Sequence, residues 1–142
     1  MTRLDRTIRR DVPHGERAMD AHSIAKWRSL ARDVPAAPQV VNHAMRLVPA
    51  TQSSREHSRD FVNRCVRYGP SPRGAQALVR SGKVNALRAG RFNVSFDDVR
   101  AAALPALRHR ILLDFTAEAE NMTSDPIAAD GPAQRDTQAE VA

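Results

Sequence analysis

Proline and glycine cut this chain into short lengths, and nearly every length between the cuts carries apolar residues at helical spacing. The breaks fall at Pro35 and Pro38, at Pro49, at Gly69-Pro70, at Gly90 and at Pro105. Proline has no amide hydrogen and clashes inside a helix, while glycine suits the left-handed residue that closes one. Short helices are marginal in isolation, so each must bury its apolar stripe against its neighbours. Aromatic residues make up only 4% of the chain, so the core must rest on Leu, Val, Ile and Ala. Sandwiches and barrels, whose strands favour aromatic and β-branched residues, are disfavoured. The expected fold is all-α, a small helical bundle.

The pattern divides the chain into a polar lead-in over residues 1–19, a bundle over 20–122 and a disordered acidic tail over 123–142. Asp20 is placed to cap a helix reaching Asp33, with Ile24, Trp27 and Leu30 on one face. Pro38 suits the first turn of a second helix through Val40, Val41, Ala44, Met45, Leu47 and Val48. Residues 53–59 read as a loop, and 59–68 as a short helix burying Phe61, Val62, Cys65 and Val66. A long helix follows from Pro72 to about Ala89 and is closed by Gly90, with Gly82 a costly residue in its middle. Ser95-Phe96-Asp97-Asp98 is a capping-box variant opening a helix through Leu104. Pro105 is expected to start a separate helical piece over 107–113. From Asn121 onward Pro, Gly, Asp and Ala dominate, a composition of disorder.

Charge is uneven. Residues 1–117 hold 21 Lys and Arg against 10 Asp and Glu, whereas residues 118–142 hold one Arg against six acids. A basic body suits an anionic partner, whether a nucleotide, a nucleic acid or an acidic protein face. The single Cys65 excludes an internal disulfide and reads as a buried, inert thiol. The five histidines, His14, His22, His43, His57 and His109, show no metal-ligand spacing and read as surface or structural residues. No apolar run approaches the length of a membrane span, which reads as a soluble, cytoplasmic protein.

The segment Gly69-Pro70-Ser71-Pro72-Arg73-Gly74 carries the clearest chemistry. Ser71 can cap a helix, Pro72 fits its first turn, and Arg73 adds a planar, permanently charged fork that matches a phosphate. Gly69 and Gly74 have the spacing of a P-loop, but Ala75-Gln76 stand where its Lys and Ser/Thr would be. No strand ending in acidic residues supplies a magnesium-holding carboxylate. The chain alone is therefore read as unable to hydrolyse ATP. Arg108-His109-Arg110 sets charge beside an apolar run; Arg108 and Arg110 read either as a solvated face or as a second anion contact.

Several of these stretches together resemble the C-terminal lid of the MoxR family of AAA+ ATPases. They are Val66-Arg67-Tyr68-Gly69-Pro70-Ser71-Pro72-Arg73-Gly74-Ala75-Gln76-Ala77-Leu78, then Gly90 to Val99, then Ala103-Leu104-Pro105-Ala106-Leu107-Arg108-His109-Arg110-Ile111-Leu112. The likeness extends over roughly residues 20–125. It implies a helical AAA+ lid in which Arg73 is the sensor-2 arginine, leaning onto the γ-phosphate of ATP held by a preceding core. It also implies partners: an AAA+ core or ring subunits, and von Willebrand A domain proteins, in a chaperone-like remodelling complex. ATP would be bound only jointly with that core, and no metal is assigned to this chain. Gln52 stands where such lids tend to carry Arg, Asp114 where they carry Asn, and Gly82 where Ala is expected. Past Thr123 the expected final helix is read as dissolving into the tail.

Three functions remain in play: a split or truncated lid of a MoxR-type ATPase, a non-catalytic module docking on AAA+ rings, and a basic nucleic-acid-binding helical domain. The last lacks evident stacking platforms, because the few aromatics sit mostly at apolar positions.

Overall fold

The computed structural model describes residues 18–53 and 60–133. Most of the lead-in, residues 54–59 of the loop and residues 134–142 of the tail lie outside the described residues. Among the described residues there are seven helices: α1 (Ala21–Asp33), α2 (Pro38–Ala50), α3 (Asp60–Cys65), α4 (Arg73–Arg88), α5 (Phe96–Leu107), α6 (Phe115–Ala119) and α7 (Asp125–Ala133). Two short strands, β1 (Val66–Tyr68) and β2 (Leu112–Leu113), pair antiparallel, and a 3-10 turn spans Arg108–Arg110. The bundle is the mostly helical fold that the punctuated periodicity predicts.

The packing centres on α4 and α5, with α2 against both and α7 against α5. Leu47, Leu78, Val99 and Leu107 are wholly enclosed, and Ala44, Ala86, Ala102 and Ala103 fill the space between backbones. The aromatic residues stay outside this core. Phe61 is half-buried, and Trp27, Tyr68, Phe92, Phe96 and Phe115 are exposed. Small residues in the interfaces let the helices approach closely. Gly82 shows this directly: an added Cβ would lie 3.0 Å from Val94 Cγ1 and 3.5 Å from Val99 Cγ2. It is buried, so the residue read as a weakness in the helix is what makes room for Val94 and the chain leading into α5.

Four sequence expectations need correction. The helix expected over 59–68 ends at Cys65, and the chain then extends as β1, because Val66 pairs with Leu113 and Tyr68 with Leu112. The helix expected to stop at Leu104 runs on to Leu107 with Pro105 inside it. Pro105 sits in the last turn, where it forfeits one backbone bond. Buried Ala102, Ala103, Ala106 and Leu107 hold the helix on both sides of it. The piece expected over 107–113 is instead the 3-10 turn followed by β2. Finally, α7 occupies much of the stretch read as a disordered tail. Its Ile127 and Ala128 are buried in the core, and Arg108 forms an ion pair with Asp125.

The caps predicted at Asp20, Ser95 and Gly90 form. Asp20 accepts the Ser23 N–H at 2.8 Å, opening α1. At α5 the capping box is complete: Ser95 Oγ accepts the Asp98 N–H, and Asp98 Oδ2 accepts the Ser95 N–H at 2.8 Å. Gly90 adopts φ 69°, and the Arg91 N–H returns to the Ala86 carbonyl at 2.9 Å. Arg91 then grips buried Asp98 through two bonds of 2.8 and 2.6 Å. That guanidinium, helped by the Ser95 bonds, holds the Asp98 carboxyl down to about 2 against burial.

His43, unlike Asp98, is buried without a hydrogen-bond partner for its ring Nε2 among the described residues. It lies edge-on against Phe96. Burial first, then Arg100 and Arg46, push its pKa below the ordinary value. Both groups bind protons more weakly folded than unfolded, so protons favour the unfolded chain. Stability should therefore fall as pH drops below about 6.5 through His43, and again between about pH 4 and 2 through Asp98. The Asp98 step should be worth about 2 kcal/mol. Melting curves across pH check this: His43→Leu should flatten the upper step and Asp98→Asn should remove the lower one.

Candidate functional site

The segment from Gly69 to Gly74 bridges β1 and α4, and three close approaches seat it. A Cβ on Gly69 would lie 2.7 Å from both the Thr51 carbonyl oxygen and Gln52 Cγ, so only glycine lets the strand pass over the end of α2. Pro70 is fully buried, and its carbonyl accepts the Gln52 Nε2–H at 2.6 Å. Thr51, itself buried, donates its hydroxyl to the Val48 carbonyl at 2.8 Å and closes α2 beneath the loop. A Cβ on Gly74 would lie 3.1 Å from Pro70 Cβ and 3.3 Å from both Val48 Cγ2 and Leu107 Cδ2. The first turn of α4 is thus pressed against the last turns of α2 and α5.

Arg73, the first residue of α4, projects from this fixed base into solvent. No hydrogen bond or ion pair engages its guanidinium among the described residues. Ser71 differs from its expected role. The N-cap is Pro72, one residue later, and Ser71 contributes its carbonyl, which accepts the Gly74 N–H at 2.7 Å. The Ala75 N–H bonds the Pro72 carbonyl, and proline has no amide hydrogen. Few backbone donors remain open at this helix start. Its attraction for an anion rests on the Arg73 side chain and the helix dipole.

The other two candidate arginines follow α5, whose last residue Leu107 touches the α4 start. Both have partners within the chain. Arg108 Nε donates to Asp125 Oδ1 at 2.9 Å, its terminal nitrogen bonds the other carboxylate oxygen, and Ser124 Oγ donates to the Arg108 carbonyl at 2.9 Å. Arg110 Nε donates to the Ala106 carbonyl at 2.9 Å. These contacts anchor α7 and close α5.

Sequence reasoning noted Gln52 only as a departure from the expected arginine, and the structure makes it the latch of the Arg73 loop. Its signal was the pairing of a polar residue after Thr51 with a sterically tight glycine entry, visible only once α2 and the loop are adjacent. Asp114 is the N-cap residue of α6, and its N–H donates to the Cys65 carbonyl at 2.8 Å. Cys65 is buried and free as expected, with Sγ 3.8 Å from Met122 Sδ. Among the described residues, no group of three or more His, Cys, Asp or Glu is placed to hold a metal ion. No described helix is long and apolar enough to cross a membrane.

Comparison with known proteins agrees with this geometry. A family model described as an AAA lid domain matches residues 58–130, which include β1, the Arg73 loop, α4 and α5. Protein MoxR of Methylorubrum extorquens is 30% identical over 111 residues, covering 76% of this chain and 27% of that protein. Chaperone MoxR1 of Mycobacterium tuberculosis is 24% identical over 113 residues, covering 80% of this chain and 30% of that protein. The crystal structure of a candidate ATPase from Cytophaga hutchinsonii matches with a TM-score of 0.72 at 27% identity, over 78% of this chain and 33% of that one. The chain spans less than a third of the length of these curated relatives. With its helical bundle and its Gly-Pro-Ser-Pro-Arg-Gly entry to α4, the chain belongs to the AAA lid domain family and is a lid of the MoxR type.

Proposed function

We propose that this lid works with a MoxR-type nucleotide-binding core in an ATP-driven, chaperone-like remodelling complex, and that Arg73 contacts the γ-phosphate of the ATP held there. The observation that supports this is the state of Arg73. Its backbone is locked by Gly69, Pro70 and Gln52, while its guanidinium is exposed and uncommitted among the described residues. A side chain that costs nothing to redirect, on a base that cannot shift, suits detection of an external phosphate. Loss of the γ-phosphate would release the fork and let the lid rotate. Arg108 and Arg110 are assigned a structural part in this scheme, and von Willebrand A domain proteins are expected as partners of the assembly rather than of the lid alone.

Association tests the reading. A MoxR-type core lacking its own lid, mixed with this chain, should bind it at least tenfold more tightly with a non-hydrolysable ATP analogue than with ADP. Equal affinity with the analogue, with ADP and without nucleotide would sink it. That outcome would favour the second reading, a docking module without nucleotide contact, which the exposed apolar face of α1 supports. Under that reading Arg73→Ala leaves docking intact.

A further inference from the structure

Helix α1 buries none of its residues. Trp27, the single tryptophan of the chain, is 55% exposed, with Met19 and Ile24 each at 47%. An open groove of about 810 Å³ runs between α1 and α4. Met19, Ile24, Trp27, Val84 and Leu87 form its apolar floor. Arg28, Arg32, Arg80, Lys83 and Arg88 line it as well, and among the described residues no carboxylate does. The two acids of α1 and its cap lie at the helix ends, where Asp20 is occupied with the Ser23 N–H and Asp33 is the last helical residue. Lys83 also donates to the Arg32 carbonyl at 2.8 Å, tying the far end of α1 to α4.

We propose that this groove docks an acidic amphipathic helix from a partner protein. The lining follows one stripe on each helix, at 24, 27, 28, 31 and 32 on α1 and at 80, 83, 84, 87 and 88 on α4. From Ile24 to Arg32 on α1 and from Arg80 to Arg88 on α4 each wall of the trough is about 12 Å long at 1.5 Å per residue, with Met19 beyond, a length that fits two or more turns of helix rather than a compact small molecule. An apolar floor with charged margins is the pattern of helix-in-groove recognition. Its charge selects glutamate and aspartate on the incoming flanks and speeds encounter.

The same charge argues against the other occupants. A second copy apposed through this groove would set five cations against five. Residues 1–17 carry five arginines against three acids and are repelled as well. Residues 134–142 offer only Ala139, Val141 and Ala142 as apolar side chains, too few for the floor.

The test uses the full chain and a dye-labelled synthetic peptide of about four helical turns, with leucines at i, i+3, i+4 and i+7 flanked by glutamates. Because Trp27 is the sole tryptophan, its emission should shift to the blue and saturate as the peptide binds. Peptide anisotropy should show at least a tenfold rise in Kd for the doubly charge-reversed Arg28→Glu/Arg80→Glu chain. The same loss is expected for a peptide with lysine in place of glutamate. Should the double variant lose its helical circular dichroism, Ile24→Ser on the exposed face should weaken binding comparably. Arg73→Ala should bind the peptide as the parent does, so this proposal stands or falls apart from the reading of Arg73. Equal affinity for the lysine peptide would overturn the proposal, as would absence of a Trp27 shift. A Trp27 shift that follows protein concentration without peptide would also overturn it, assigning the groove to self-association.

Discussion

Replacing Arg73 with alanine should lower ATP turnover by the assembled lid and core at least tenfold while leaving the melting temperature of the lid nearly unchanged. The two expectations have one source. The guanidinium makes no described contact within the chain, so its loss removes little from the fold, within about 0.5 kcal/mol for such a surface change. Against a phosphate, however, it would provide a charge-assisted and bidentate contact, and removing one preorganised donor from developing charge typically costs about 10²–10³ in rate. Arg73→Lys separates charge from geometry. The ammonium keeps the charge but not the planar fork, so turnover should recover only in part. Arg67→Ala serves as the control, because that side chain is also exposed and lies over the Tyr68 ring at 5.5 Å. Turnover of the Arg73→Ala assembly within twofold of the parent would remove Arg73 from the site.

The largest effect on stability is expected from Gly69→Ala. The added carbon would lie 2.7 Å from the Thr51 carbonyl oxygen and 2.9 Å from Gln52 Cα, both backbone atoms that cannot swing aside. Relief requires the loop to lift, which strains the Gln52–Pro70 bond and exposes part of buried Pro70. Overpacking of this kind costs about 1–3 kcal/mol, and a lost hydrogen bond adds about 1. For a domain of this size the melting temperature should drop by roughly 10–20 °C. Gly90→Ala makes an instructive contrast: nothing lies within 4 Å of its Cβ, and only the positive φ of 69° opposes it. It should cost about 1 kcal/mol. If Gly69→Ala melts no lower than Gly90→Ala, the seating of the loop has been misjudged.

Local rules carried the reading of α1, α2, α4 and the start of α5. Asp20, Pro38, Gly90 and the Ser95–Asp98 pair each act through neighbours within four residues, so their signals survive in one dimension. The place of Arg73 in the first turn of α4 was legible for a related reason, since its exposed side chain answers to no packing partner among the described residues. The β1–β2 ribbon was not legible. Three residues and two residues are too short for a period, and the register joins positions far apart in the chain. Helix α7 failed the compositional test because its order comes from tertiary contacts: buried Ile127 and Ala128, and the pairing of Arg108 with Asp125. Gly82 and Gln52 were misweighed alike. Each was judged on its own segment, whereas its role is to meet another element.

Arg73 and the basic groove are carried by one rod. The sixteen residues of α4 span about 24 Å, with Arg73 at one tip and Val84, Leu87 and Arg88 toward the other. Gly74, Ala75, Leu78, Gly82 and Ala86 press its whole inner side against the bundle, so it moves as a stiff body or not at all. Because Arg73 and the groove lie on one stiff helix packed into the bundle, a rotation of the lid that moved the arginine would carry the groove with it. Phosphate and partner would then be weighed on the same beam.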